Sequence, residues 1–287
     1  MKRLFVVLAF VSMGTTLVAQ QDAYDLYIPG EANTVRPLSE PTGQYIQNRA
    51  PGKPVLFDNG PLVTHPGGGF GGADASFVQF SIGLLAYGSG NMVSLNYWVA
   101  DDFTVPAGGW NIEGYGFYGY QVSSGLISTM TAIHIIIYDG VPGAVGTNIV
   151  YGDGATNRLT SSSFTNIYRV NENSMLSTTR PIMLNYCKFD LFLAPGTYWV
   201  AWQTDGTLPS GPWVPLISVI DQTTTGNGMQ YTPAWVSIYS GLYQQGLAFM
   251  IYGHAPGSSE VPVSNWALII GIALIATMIF IRFRKLI

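Results

Sequence analysis

Cysteine is almost missing: Cys187 is the only one in 287 residues. No disulfide can close within the chain, so the fold must be held by its apolar core. Histidine is nearly as scarce, at three residues, His65, His134 and His254. No two of them have metal-pair spacing. Charged residues make up 10% of the chain. No Gly-x-Ser-x-Gly elbow and no His-Glu-x-x-His helix motif occurs, which removes the commonest serine-hydrolase and zinc-protease signatures. Between residues 20 and 260 no stretch repeats its apolar residues every 3.6 positions, which argues against a helical protein.

Two stretches do stand out, one at each end. Met1-Lys2-Arg3 is followed by an apolar run from Leu4 to Val18 and the small residue Ala19. That layout predicts a secretory signal peptide over residues 1–19. At the other end, Trp266 to Ile281 carries no charge and is followed by Arg282, Arg284 and Lys285. As a helix it would rise about 24 Å against roughly 30 Å of hydrocarbon, and the basic residues can snorkel to the headgroups. A transmembrane helix over 266–281 is expected. The basic tail, 282–287, then lies in the cytoplasm and everything before the span outside.

The charges divide along the same lines. Five of the twelve Lys and Arg lie in the two end segments, while all sixteen Asp and Glu fall between Asp22 and Glu260. The outer part therefore has 7 basic against 16 acidic residues, a formal charge of −9. An acidic surface disfavours nucleic acid as a partner.

Residues 20–53 are polar, with scattered Pro, Gly and Gln, and read as an irregular arm with one short strand near Tyr24–Ile28. Beyond Pro54, short aromatic and β-branched runs alternate with Gly, Pro and Asn turns. Strands are expected at Ser94–Ala100, Phe103–Val105, Trp110–Gln121, Thr131–Tyr138, Thr147–Tyr151, Phe164–Val170, Ile182–Leu193, Thr197–Thr204, Val214–Val219, Met229–Tyr231 and Leu247–Tyr252. Ile133-His-Ile-Ile-Ile137 has the continuous apolar character of a strand buried on both faces, with His134 in the core. Tyr198, Val200 and Trp202 share one face and should supply a slab of core. This predicts an all-β fold, a jelly-roll-like β-sandwich over 54–253. A linker with the motif described next fills 254–265.

Val261-Pro262-Val263-Ser264-Asn265-Trp266, the apolar run and the terminal basic cluster together resemble the tripartite sorting signals of exosortase-type transpeptidases (PEP-CTERM-like) in bacteria. Val263-Ser264 stands where the commonest form has Glu-Pro. The resemblance implies an exosortase-type processing enzyme as partner and removal of the span. A second resemblance spans Pro54 to Gly253. It rests on Asp58-Asn-Gly-Pro, Val99-Ala-Asp-Asp-Phe-Thr-Val-Pro-Ala-Gly-Gly-Trp110, Asn166-Ile-Tyr-Arg169, Leu193-Ala-Pro-Gly-Thr-Tyr-Trp199 and Ser210-Gly-Pro-Trp213. These phrases are similar to those of an uncharacterised β-sandwich domain of exported bacterial surface proteins. It implies fold and location and no activity.

Candidate chemistry is thin. Gly67-Gly69-Gly72 and Gly114-Gly116-Gly119 match Gly-x-Gly-x-x-Gly, but neither has the strand-to-helix context of a dinucleotide loop, so no organic cofactor is expected. Asp101 and Asp102, with Asp139 or Asp153, offer oxygens suited to calcium; the alternative is acids that cap backbone N–H groups at turns and strand edges. Trp213, Trp235, Tyr239 and Tyr243, with Tyr118 and Tyr120, could stack on sugars, or could fill the core and its end loops. The expected function is a non-enzymatic, exported cell-surface protein with a structural or adhesive role. The alternatives are a surface carbohydrate-binding module meeting an extracellular glycan and, behind it, a surface hydrolase. The two end segments give the first test. N-terminal sequencing of the mature protein should begin at Gln20, and mass spectrometry should find a C-terminus before Arg282 if sorting removes the span. A surface-displayed form whose peptides extend through Arg282 rules out that cleavage.

Overall fold

The computed structural model describes residues 23–27 and 52–257. The signal peptide (1–19), most of the arm (28–51), the sorting motif at 261–266, the span (266–281) and the tail (282–287) lie outside the described residues. Among the described residues no helix is long and apolar enough to cross a membrane. The chain divides into two compact units, Met1–Ala255 and Pro256–Ile287, and the first carries every strand given below.

The fold is all-β. In chain order the strands are β1 (Tyr24–Leu26), β2 (Val55–Asp58), β3 (Asp74–Val78), β4 (Ala86–Gly90), β5 (Trp98–Val105), β6 (Trp110–Gly119), β7 (Met130–Tyr138), β8 (Ile149–Asp153) and β9 (Leu159–Asn171). They continue as β10 (Pro181–Leu193), β11 (Gly196–Gly206), β12 (Trp213–Pro215), β13 (Met229–Tyr231), β14 (Trp235–Ser237), β15 (Tyr239–Ser240), β16 (Tyr243–Gln244) and β17 (Phe249–His254). One six-stranded sheet has the order β2-β17-β6-β10-β9-β3 and a second has β14-β13-β5-β11-β7-β8. A three-stranded sheet, β1-β4-β12, and the β15–β16 hairpin complete the strands. Pairing is antiparallel except between β3 and β9.

The main core lies between the two six-stranded sheets. Val99, Phe103 and Val105 of β5, Ile133, Ile135 and Ile137 of β7, and Val200 and Trp202 of β11 face Ile112, Tyr115 and Phe117 of β6, Cys187 of β10 and Phe249 and Ile251 of β17. The sets on β5, β7, β11 and β17 alternate along their strands, as a pleated strand with one face inward requires, while β6 changes phase between Ile112 and Tyr115 at its register shift. Trp202 stacks on Phe117 across the gap with ring centroids 4.6 Å apart. Sandwich packing of this kind is consistent with the residue pattern expected from the sequence. Cys187 is fully buried, and burial pushes its thiol pKa up. A second apolar cluster, with Tyr118, Leu184, Met250 and Tyr252, covers the other face of the first sheet and packs on Tyr87 of β4 and Trp213 of β12.

Two readings of the sequence need correction. β5 runs unbroken from Trp98 to Val105, where a strand ending at Ala100 and a new one from Phe103 were expected. The acidic pair sits inside it because Asp101 finds three N–H partners there. β7 is buried on one face only: Ile133, Ile135 and Ile137 are fully covered, while His134, Ile136 and Tyr138 are half-buried on the outer face. The unbroken apolar run hid this because both faces of the strand carry apolar residues.

A buried polar network ties β1 to the body. Arg180 donates to both carboxylate oxygens of Asp25, at 2.6 and 3.0 Å, and the Tyr120 hydroxyl donates to Asp25 at 2.8 Å. The Arg180 guanidinium also sits 3.9 Å above the Tyr87 ring centroid. Arg169 on β9 donates to the Tyr87 carbonyl and to the Ser76 and Ser218 hydroxyls. Burial lowers the Arg169 pKa to about 10, which leaves it charged at neutral pH.

Removing one member of a buried ion pair strands its partner's charge, whereas a half-exposed pair is screened by water. Asp25→Ala should therefore lower unfolding free energy by roughly 3–5 kcal/mol in denaturant titration. Lys53→Ala, which breaks the half-exposed pair with Glu113, should cost under about 1 kcal/mol. Equal losses would show that the buried network does not hold β1.

Candidate functional site

The outer face of the second sheet carries an aromatic cleft. Its construction begins with a repeated triplet, Trp98-Val99-Ala100 on β5 and Trp199-Val200-Ala201 on β11. In each, alternation sends the valine into the core and the tryptophan and alanine outward. The antiparallel register sets Ala100 directly opposite Ala201. Both alanines are fully buried in a cluster with Trp98 and Trp199, against which Ile136, Tyr138, Met229, Tyr231 and Trp235 also pack. The small alanines let the two indoles pack closely on this outer face.

The resulting cleft has a volume of about 230 Å³ and is lined by Asn96, Trp98, Ile136, Tyr138, Tyr231 and Trp235. Its walls come from β5, β7, β13 and β14, strands brought side by side only by the sheet. The Trp98 indole N–H donates to Asn96 Oδ1 at 3.1 Å, which holds the ring in place. Tyr231 and Trp235 meet at 5.7 Å between centroids, tilted by 58°. Among the described residues no charged side chain lines the cleft. Desolvation raises the Tyr138 pKa, so its hydroxyl stays neutral. Aromatic walls with a few hydroxyl and amide groups make a surface that can stack on an apolar ring face and hydrogen-bond its substituents.

Of the sugar-stacking candidates read from the sequence, only Trp235 lines this cleft. Trp213 is buried, with its backbone paired to Tyr120 through two 2.9 Å bonds. Tyr118 and Tyr120 are also buried in the second core cluster. Tyr239 is 48% exposed on the β15–β16 hairpin, and Tyr243 packs half-buried against the second cluster. The segment from Trp235 to Tyr243 forms the short strands β14 and β15 and the start of β16. Trp98, Tyr138 and Tyr231 were missed; the doubled Trp-Val-Ala triplet was the available signal for the first.

The acidic candidates are scattered. Asp101 points into the sandwich, where its carboxylate accepts Leu247 N–H at 2.7 Å, Asn59 Nδ2 at 3.1 Å and Asp102 N–H at 2.9 Å. Asp102, next along the strand, lies on the opposite face. Asp139 is exposed in the β7–β8 connection and accepts two bonds from Asn148, which hold its pKa below the ordinary value. Asp153 likewise accepts from Ala155 and Thr156 in a turn. Among the described residues no group of three or more His, Cys, Asp or Glu could hold a metal ion. His134 projects from the outer face of β7 opposite Gln203, and His134 Nδ1 and Gln203 Oε1 are both buried without a hydrogen-bond partner. His65 stacks on Phe77 at 4.0 Å.

A second cleft, of about 340 Å³, opens at one end of the first sheet and is lined by Asn111, Ile112, Glu113, Asp190, Leu191, Phe192 and His254. Register shifts in the β6–β10 and β6–β17 pairings reorient these side chains. Gly114 stands at φ 159°, where an added Cβ would collide with the Cys187 carbonyl oxygen. Glu113 bonds Lys53 and receives His254 Nδ1 at 3.3 Å, while His254 Nε2 lies 3.3 Å from Asn111 Nδ2. With Nδ1–H donated to Glu113, Nε2 is the acceptor. The Lys53 bond is the main cause of the lowered Glu113 pKa. The pair could orient a histidine as a base, but among the described residues no hydroxyl or thiol side chain lines the cleft.

Comparison with protein-family models, with curated proteins and with solved structures gives no match. The site is therefore read from its own geometry.

Asp101 yields a pH test. Burial outweighs its three N–H bonds and raises its pKa from 3.8 to about 7. Between those values the native state holds a proton that the unfolded chain has released, so stability should fall as pH rises through this window. Asp101→Asn should remove that slope in unfolding measured from pH 4 to 8. An unchanged slope would assign the dependence to other groups.

Proposed function

We propose that this chain is a non-catalytic, exported surface protein with an adhesive role, and that it binds carbohydrate through its aromatic cleft. The observation that carries this reading is the set of four aromatic side chains, Trp98, Tyr138, Tyr231 and Trp235, around a charge-free cleft. Sugar rings present apolar C–H faces to such walls, and Asn96 with the two tyrosine hydroxyls offers partners for their hydroxyl groups. Export and surface sorting rest on the two end segments of the sequence. We read the sandwich further as a jelly roll. The order β2-β17-β6-β10 facing β5-β11-β7-β8 sends β5, β6 and β7 to alternate sheets, in keeping with paired Greek keys. The Glu113–His254 pair favours a second reading, a surface hydrolase. It ranks behind because the pair lacks a neighbouring side-chain nucleophile.

Glycan-array binding tests the proposal. The wild type should bind neutral glycans, and Trp235→Ala should weaken binding by about tenfold or more, equivalent to about 1.4 kcal/mol. Trp213→Ala should instead destabilise the fold by roughly 3–5 kcal/mol, as loss of a buried indole does. Absence of binding to any glycan, or full binding by Trp235→Ala, would overturn the reading.

A further inference from the structure

Resting on the carbohydrate reading above, we infer that the cleft takes a single terminal, neutral sugar ring, and does not grip the middle of a polysaccharide chain. Three features argue for this. The first is size. At about 230 Å³, the cleft is smaller than the roughly 300–1,000 Å³ pockets that enclose drug-sized ligands, and it has room for one ring.

The second is the arrangement of the aromatics. A surface that grips an extended chain needs successive rings in one plane, each meeting a further sugar. Here Tyr231 and Trp235 are tilted by 58°, and Trp98 and Tyr138 approach from two other strands. The rings surround one space and do not continue as a strip.

The third is that neighbouring backbone closes in beside both tryptophans. Gly143, in the β7–β8 connection at φ +81°, packs so closely on Trp235 that an added Cβ would lie 2.9 Å from the indole Cδ1. Gly154, in the turn after β8, brings its Cβ position to 3.4 Å from Trp98 Cζ2. These contacts leave one edge of each indole covered by backbone, which limits the open aromatic surface beside the cleft.

The chemistry of the lining selects a neutral ring. Among the described residues no Lys or Arg lines the cleft to pair a carboxylate, so a sugar acid would lose hydration without compensation. The polar complement is Asn96 and the hydroxyls of Tyr138 and Tyr231.

The test is titration of the full-length protein in detergent, followed by tryptophan fluorescence. The probes are the methyl glycosides of glucose, galactose and mannose, the matching linear hexasaccharides, glucuronate and choline. One methyl glycoside should bind, its hexasaccharide should bind within about threefold of it, and glucuronate should bind about tenfold more weakly. Trp235→Ala should weaken the methyl glycoside and the hexasaccharide equally. A hexasaccharide more than about tenfold tighter than the methyl glycoside would reveal further subsites and overturn the inference, while leaving the carbohydrate reading intact. Glucuronate binding as tightly as the neutral glycoside would overturn the charge selection. Choline binding without any saccharide, as a cation held by aromatic faces, would overturn both the inference and the reading beneath it. Failure of every probe would do the same.

Discussion

The contact between Trp202 and Phe117 is where the two large sheets meet, and the rest of the molecule follows from it. With no disulfide available, apolar packing between the sheets must hold the domain together. That demands apolar side chains on the inward faces of β5, β7 and β11 on one side and of β6, β10 and β17 on the other. Once those positions are committed inward, the alternate positions must face out. On the second sheet they include Trp98, Trp199, Ile136 and Tyr138. The cleft is thus built from the residues that the core leaves over, and its position is set by the same strand register that builds the core. Asp101 is the exception, a carboxylate on the inner face held by three N–H donors.

A second constraint acts on the far side of the first sheet. That sheet is covered on both faces, so β1 and β4 must be anchored over it. Two buried arginines do this. Arg180 closes on Asp25 and lies over the Tyr87 ring, and Arg169 reaches the Tyr87 carbonyl and two serine hydroxyls. The cost of burying charge is offset by these acceptors and by the ion pair. The arrangement draws Ala23–Tyr27, far away in sequence, into the body of the domain.

Much of the strand pattern was legible in the sequence. Alternating Tyr198, Val200 and Trp202 marked an inward face, and Val200 and Trp202 are fully buried. Gly114, Gly116 and Gly119 lie in an aromatic strand, as their surroundings indicated. Legibility failed where one-dimensional pattern carries no information about the face. The run from Ile133 to Ile137 is apolar throughout, so it cannot reveal that His134 and Ile136 lie on the half-exposed side. Among the aromatic candidates read from the sequence, Trp235 does line the cleft. Equally aromatic Trp213 is enclosed by strands that pair with it from elsewhere. Trp98, Tyr138 and Tyr231 could not be joined in advance, because 133 residues separate the first from the last.

By itself the sequence determined that this chain carries a β-rich domain with no intramolecular disulfide, and an acidic, charge-poor body between two apolar segments. Composition and period-two alternation are local properties, and local properties suffice for such statements. Only the tertiary structure decided which aromatics share a cleft, that Asp101 faces the core while Asp102 faces away, and that Glu113 meets His254 at the irregular end of a sheet. Those outcomes depend on the register between strands far apart in the chain. A shift of one residue in that register would turn every one of these side chains to the other face.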